Sequence, residues 1–164
     1  MRLHDVCSAA TATAAMTVVL VAGAPAAQAR QCTPPPLPGK VVEVKLTDRA
    51  SGPMGLTVTP AKVPGGTVSF RASNTGTLVH ELVVLSLADG QAVGKQPVGS
   101  DARVSETGML GEASRDCGGG EGDGIAPGSM GWVTLQLNPG RYELLCNFPG
   151  HYASGMHAPF EVTK

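Results

Sequence analysis

Short runs in which apolar and polar residues alternate follow one another through most of the chain. "VVEVKL" from Val41, "LTVTP" from Leu56, "TVSFRAS" from Thr67 and "LVHELVVLSL" from Leu78 are rich in β-branched residues. "GWVTLQL" from Gly131, "RYELLCN" from Arg141 and "APFEVT" from Ala158 follow further on. A period of two is the mark of half-buried strands. Gly, Pro or Asn punctuates most of the gaps, as in "VPGG" at 63–66, "NTG" at 74–76 and "NPG" at 138–140. No window sustains a helical period over three turns. Seven or more short strands at this spacing predict an all-β protein, an antiparallel sandwich or barrel.

One stretch breaks the pattern. Between the strand carrying His80 and the strand from Gly131, roughly Ala88 to Met130, lies a long Gly-rich insertion with "CGGGEGDG" from Cys117 and the acids Asp101, Glu106, Glu112, Glu121 and Asp123. It reads as a long connection with an edge strand around 93–98. The glycines lack the Lys-Ser/Thr and the strand-to-helix setting of a phosphate cradle. The acids do not have the spacing of an EF-hand loop. A solvated, acidic surface loop is the expectation.

The first 32 residues, "MRLHDVCSAATATAAMTVVLVAGAPAAQARQC", have a different character. A basic start, an apolar run over 9–24 and the small-x-small triplet Ala27-Gln28-Ala29 predict a secretory signal peptide over residues 1–29. The run is shorter than the roughly 20 residues of a membrane span, so membrane association is expected only if this segment is retained. Arg30 and Gln31 before Cys32 do not suit a lipidation site. Residues 30–40 contain "TPPPLPG" and read as a Pro-rich linker; 41–164 is then a single domain. The net charge of −1, unclustered Lys and Arg and few aromatics give nucleic-acid binding no support.

Export makes the cysteines informative. Once Cys7 leaves with the signal, Cys32, Cys117 and Cys146 remain. If Cys32 and Cys117 pair, a disulfide ties the start of the domain to the insertion, worth about 4 kcal/mol by the chain-entropy model. Cys146 is then left as a thiol in an oxidising compartment, either buried and inert or held by a metal. Strand parity puts Tyr142, Leu144 and Cys146 on the inward face of "RYELLCN", and Arg141, Glu143 and Leu145 on a more polar one. In "LVHELVVLSL", His80 shares an apolar face with Leu78, Leu82 and Val84. Alone, such a histidine is more often a satisfied core imidazole than a ligand.

Taken with "CNFPGHYASGM" at 146–156, the case changes. His80, Cys146, His151 and Met156 supply two imidazoles, a thiolate and a thioether, the donor set of a blue-copper site with a weak axial Met. Zinc, the main rival, rarely takes Met. His157 reads as a surface histidine, and Met54, Met109 and Met130 as core or loop filling.

"YELLCNFPGHYASGM" ending in "APFEV", with "VPGGTVSFRASNTGTLVHELVV" upstream, resembles the cupredoxins, the plastocyanin and azurin family, over roughly 41–164. The Cys-x₄-His-x₄-Met spacing is similar to that of rusticyanin and sulfocyanin. The resemblance implies a Greek-key β-sandwich and one type 1 copper ion cycling between Cu(I) and Cu(II). It makes His80, Cys146, His151 and Met156 the ligands. Many members carry Asn, Asp or Ser after the first histidine, whereas this chain has Glu81, which either bonds near Asn147 or faces solvent. The expected function is single-electron transfer between redox partner proteins, by a monomer in the periplasm, cell envelope or exterior. The alternative is copper trafficking, storage or tolerance with a donor or acceptor protein. An enzyme is not expected, because His80, His151 and His157 leave too few imidazoles for a second, catalytic copper centre.

Overall fold

A computed structural model describes residues 32–49 and 52–164. The expected signal segment, with Cys7, lies outside them. Ten strands and no helix make up these residues. Strands β1 (Lys40–Arg49), β2 (Gly52–Thr59), β4 (Gly66–Asn74) and β8 (Met130–Leu137) form one sheet in the order β2-β1-β4-β8. The second sheet contains β3 (Lys62–Pro64), β5 (Leu82–Leu87), β6 (Met109–Arg115), β7 (Gly120–Gly124), β9 (Gly140–Leu145) and β10 (His157–Thr163). Its order is β3-β10-β9-β5-β6-β7. The sheets are mixed rather than purely antiparallel, since β1 runs parallel to β4, β10 to β3 and β6 to β7.

Alternation explains the inner core. Val42, Val44 and Leu46 of β1 and Val68, Phe70 and Ala72 of β4 point inward, as do Leu82, Val84, Leu144, Phe160 and Val162 from the facing sheet. The rings of Phe70 and Phe160 meet edge to face at 5.1 Å across the sandwich. Fully burying a side chain of this size stabilises by about 1.5–3 kcal/mol.

The insertion is not the loop expected from its composition. It contributes β6 and β7, which extend the second sheet, while 93–98 forms no strand and Val98 makes only an isolated bridge to Val104. Backbone pairing with β5 supplies what the small and polar side chains of "MLGEASR" do not. Nor is the insertion wholly solvated: Glu112 and Ser114 are buried. Its first part folds over the outer face of the second sheet, where Val104 and Tyr152 pack on Val83, Leu85 and Leu145. That face of β9 is therefore covered, and Glu143 is fully buried.

Cys32 and Cys117 form the disulfide, closing a loop with a separation of 85 residues. Residues 32–38 contain no strand. They are nevertheless tied at Cys32 and at Pro38, whose carbonyl accepts a bond from Ser69 Oγ at 2.6 Å.

Phe160→Ala should lower stability by about 3–5 kcal/mol, as a ring-sized cavity opens between the sheets. Urea unfolding followed by the fluorescence of Trp132 measures this, with the midpoint falling and the slope unchanged.

Candidate metal centre

Sheet register brings the first two donors together. Strands β5 and β9 pair with Val83 opposite Leu145, so His80, just before β5, and Cys146, just after β9, lie at the same end. His80 is held by backbone bonds to Ile125 in both directions, at 3.2 and 2.7 Å. The strand itself starts only at Leu82. Leu78, expected on the apolar face, is 45% exposed because Asn74 Nδ2 donates to its carbonyl at 2.7 Å and turns the chain outward.

The loop after β9 supplies the rest. The His151 amide donates to the Phe148 carbonyl at 2.9 Å, and the Met156 amide donates to the His151 carbonyl at 3.1 Å. The Cys146 amide closes the loop on the Met156 carbonyl at 3.1 Å. Cys146 Sγ then lies 3.3 Å from His151 Nδ1 and 3.8 Å from His80 Nδ1, and the two nitrogens are 3.2 Å apart. Among the described residues, these three form the one group of His, Cys, Asp or Glu ligand atoms mutually within 4.8 Å. Met156 is fully buried in the same loop.

Each donor is braced from behind. His80 Nε2 lies 2.7 Å from Asp48 Oδ1, which places the ring hydrogen on Nε2 and leaves the Nδ1 lone pair facing the other donors. Asp48 also accepts from the Thr77 amide, the Thr77 hydroxyl and the Leu78 amide. Burial opposes its ionisation, but hydrogen bonds from Thr77, Leu78 and His80 prevail and hold the carboxyl well below the usual carboxylate range. Sequence reasoning missed Asp48. It sits at the register shift between Thr47 and Arg49, where strand parity gives no guide.

Cys146 is the free cysteine among the described residues, and it is fully buried. Burial pushes its thiol up to about 12, although the Phe148 and Glu81 amides favour the thiolate. The Glu81 amide lies 3.4 Å from the sulfur. His151 is half-buried, and burial together with the neighbouring His80 lowers its pKa, which favours the neutral ring. The assembly is thus a protonated soft thiol beside two imidazoles with lone pairs turned inward. A soft or borderline cation suits this donor set, and hard oxygen-seeking ions do not. Binding would displace the thiol proton.

Two further groups clamp the ligand loop. Glu81 does not face solvent: its Oε1 accepts the Asn147 amide at 3.0 Å and its Oε2 accepts the Ser114 hydroxyl at 3.1 Å. The Asn147 side chain exchanges bonds with the Val104 backbone at 2.7 and 2.9 Å, and Arg103 donates to its carbonyl at 2.9 Å. Glu143 accepts from the Gly94 amide, Gln96 Nε2 and the Tyr152 hydroxyl. Gly94, at φ +76 in the left-handed region, is needed there because a Cβ would fall 2.4 Å from the His157 ring. His157 itself lies tilted against the Tyr152 ring, with centroids 5.0 Å apart, and is not part of the donor group. Met54 and Met109 pack against the two apolar clusters as fillers.

No protein-family model matches the sequence, and no curated protein does. Solved structures do match. Dithionite-reduced auracyanin from the photosynthetic bacterium Roseiflexus castenholzii aligns with a TM-score of 0.51 at 20% identity, over 77% of this chain and 100% of that one. Auracyanin B aligns at 0.51 and 22%, over 84% and 96%. Rusticyanin from Thiobacillus ferrooxidans aligns at 0.50 and 21%, over 77% and 79%. These are cupredoxins, and this chain has the cupredoxin fold, a β-sandwich of two mixed sheets.

Two outcomes follow from the bracing. Ellman's reagent at pH 8 should leave Cys146 unmodified in the folded, metal-free protein and titrate it promptly in urea. Asp48→Asn should lower the unfolding midpoint at pH 7. Because the native carboxyl titrates below its unfolded value of 3.8, that difference should be full above this pH and shrink as the pH falls further.

Proposed function

We propose that this is an exported type 1 copper protein carrying single electrons between redox partners, with His80, Cys146, His151 and Met156 as ligands. The observation that carries this reading is the buried, unpaired Cys146 sulfur within 3.8 Å of two imidazole nitrogens from different parts of the chain. Copper, when bound, supplies a centre that takes up and returns one electron. The chain's own residues do the rest. Asp48 fixes the tautomer of His80, the Glu81 amide stabilises charge on the sulfur, and the Asn147 bonds keep the loop from shifting with oxidation state.

His151 is less buried than His80, Cys146 and Met156, which makes its edge the route to a partner. Phe148 lies 5.8 Å from it, ring to ring, and the exposed Val79 is close by. Gly124, at φ +97, is what lets these two approach, since a Cβ there would meet Val79 at 2.3 Å and Phe148 at 2.8 Å. An apolar surface of this kind suits a small, transient interface. A buried and braced donor set suits retention of the metal more than its hand-over, which favours an electron carrier above copper trafficking or storage, and above an enzyme. The Cys32–Cys117 disulfide supports an oxidising, extracytoplasmic compartment.

Adding Cu(II) to the purified protein should produce an intense visible band from the thiolate–copper bond, lost on mild reduction and restored on oxidation. Cys146→Ser should abolish the band, and Met156→Leu should keep it while raising the potential. Asp48→Ala should weaken copper binding about 10–100-fold. An unchanged spectrum and affinity in Cys146→Ser would overturn the assignment.

A further inference from the structure

The two imidazoles of the candidate centre are backed differently. Among the described residues, the ring of His151 makes polar contacts only with His80 and Cys146. His80 is fully buried, and its outer nitrogen meets a carboxylate, Asp48, at 2.7 Å. That carboxylate is held by donors on every side. Oδ1 accepts from the Thr77 amide at 2.8 Å and the Leu78 amide at 3.0 Å as well as from His80, and Oδ2 accepts from the Thr77 hydroxyl at 2.5 Å. The turn is shaped for this approach: a Cβ on Gly76 would collide with Oδ1, and the Gly76 amide is fixed by Asn74 Oδ1 at 2.9 Å.

Four donors and no acceptor keep the Asp48 carboxyl in its charged form. The charge is nevertheless not cancelled, because neutral amides and a hydroxyl supply those bonds. Among the described residues, His80 is its one ion-pair partner, and no Lys or Arg joins it. A buried charge is screened far less than one in water. The bond from Nε2 also passes the carboxylate's influence into the ring, which makes Nδ1 a stronger donor.

We infer that Asp48 lowers the reduction potential of the centre, acting through His80 as a fixed, buried negative charge; the inference rests on the copper reading above. Cu(II) carries one more positive charge than Cu(I), so an anion held behind one ligand favours the oxidised form. His151 has no carboxylate behind it and makes no such contribution. The two imidazoles are therefore unequal: His80 sets the charge balance, and His151 presents the less buried edge. The consequence is a centre that gives up its electron to a weaker oxidant than the same four ligands would with a neutral group behind His80.

Redox titration of the copper-loaded full chain, followed at the visible thiolate–copper band, tests this. Asp48→Asn keeps an oxygen where Oδ1 stands. It should retain the band and move the Cu(II)/Cu(I) equilibrium at least tenfold toward Cu(I), a rise of about 59 mV for a one-electron couple. Thr77→Val removes the hydroxyl donor from Oδ2, leaves more of the carboxylate's charge for His80, and should move the potential the other way. Mere loosening of the turn would shift both variants in the same direction. Glu161→Gln, the same change in net charge at an exposed position, should titrate as the wild type does. Nitrogen NMR of metal-free Asp48→Asn should find the His80 hydrogen still on Nε2; a hydrogen moved to Nδ1 would make the shift tautomeric and overturn the inference. A reversible couple with an unchanged or lower potential in Asp48→Asn overturns this inference alone. So does a rise in Thr77→Val, which decides the matter if Asp48→Asn does not fold. Absence of the thiolate–copper band in the wild type overturns the copper reading and this inference together.

Discussion

The candidate centre depends on keeping one sulfur and two imidazole nitrogens within 3.8 Å of one another, with Cys146 and His80 fully buried and no covalent bond between them. The thiol hydrogen can serve one imidazole nitrogen at a time, which leaves the other lone pair facing the cluster without a partner in it. The cluster persists because each member is held from outside it: His80 by Asp48, Cys146 by strand β9 and the Glu81 amide, His151 by the short turns of its loop. The fold holds these donors facing one another, an arrangement that would suit the soft cation proposed above. This is preorganisation in the ordinary sense, since the ordering of the donors is completed on folding rather than on binding.

The insertion is what makes this holding rigid. Were 88–108 absent, the outer face of β9 would lose the cover of Val104, and Glu143 and the Asn147 side chain would lose their bonds to Gly94, Gln96, Val104 and Glu106. With it in place, the residue directly after Cys146 is tied on both its backbone and its side chain.

The parts legible in the sequence were those in which side-chain alternation carries the information. β1, β4, β8, β9 and β10 follow their alternating runs, and Cys146 faces inward as parity requires. The spacing of Cys146, His151 and Met156 within one loop was readable because local loops keep their members together. β6 and β7 were not, because glycine-rich and polar segments become strands only through a neighbour's backbone. β3 was too short, at Lys62–Pro64, and ran into a turn signal. Glu143 reads as a solvent-facing acid until the covering loop is in place. Asp48 lies 32 residues before His80, at an irregularity in its strand, and only the tertiary structure brings the two together.

The pairing of Val83 with Leu145 has an evolutionary consequence. A hydrogen-bonded ladder permits displacement only in whole residues, and a step of one turns every side chain to the opposite face. His80 and Cys146 hang from the two members of that ladder, so their separation is quantised. Lineages of this chain are free to lengthen or rebuild the segments between strands, whereas an insertion or deletion within β5 or β9 would dismantle the centre in a single event.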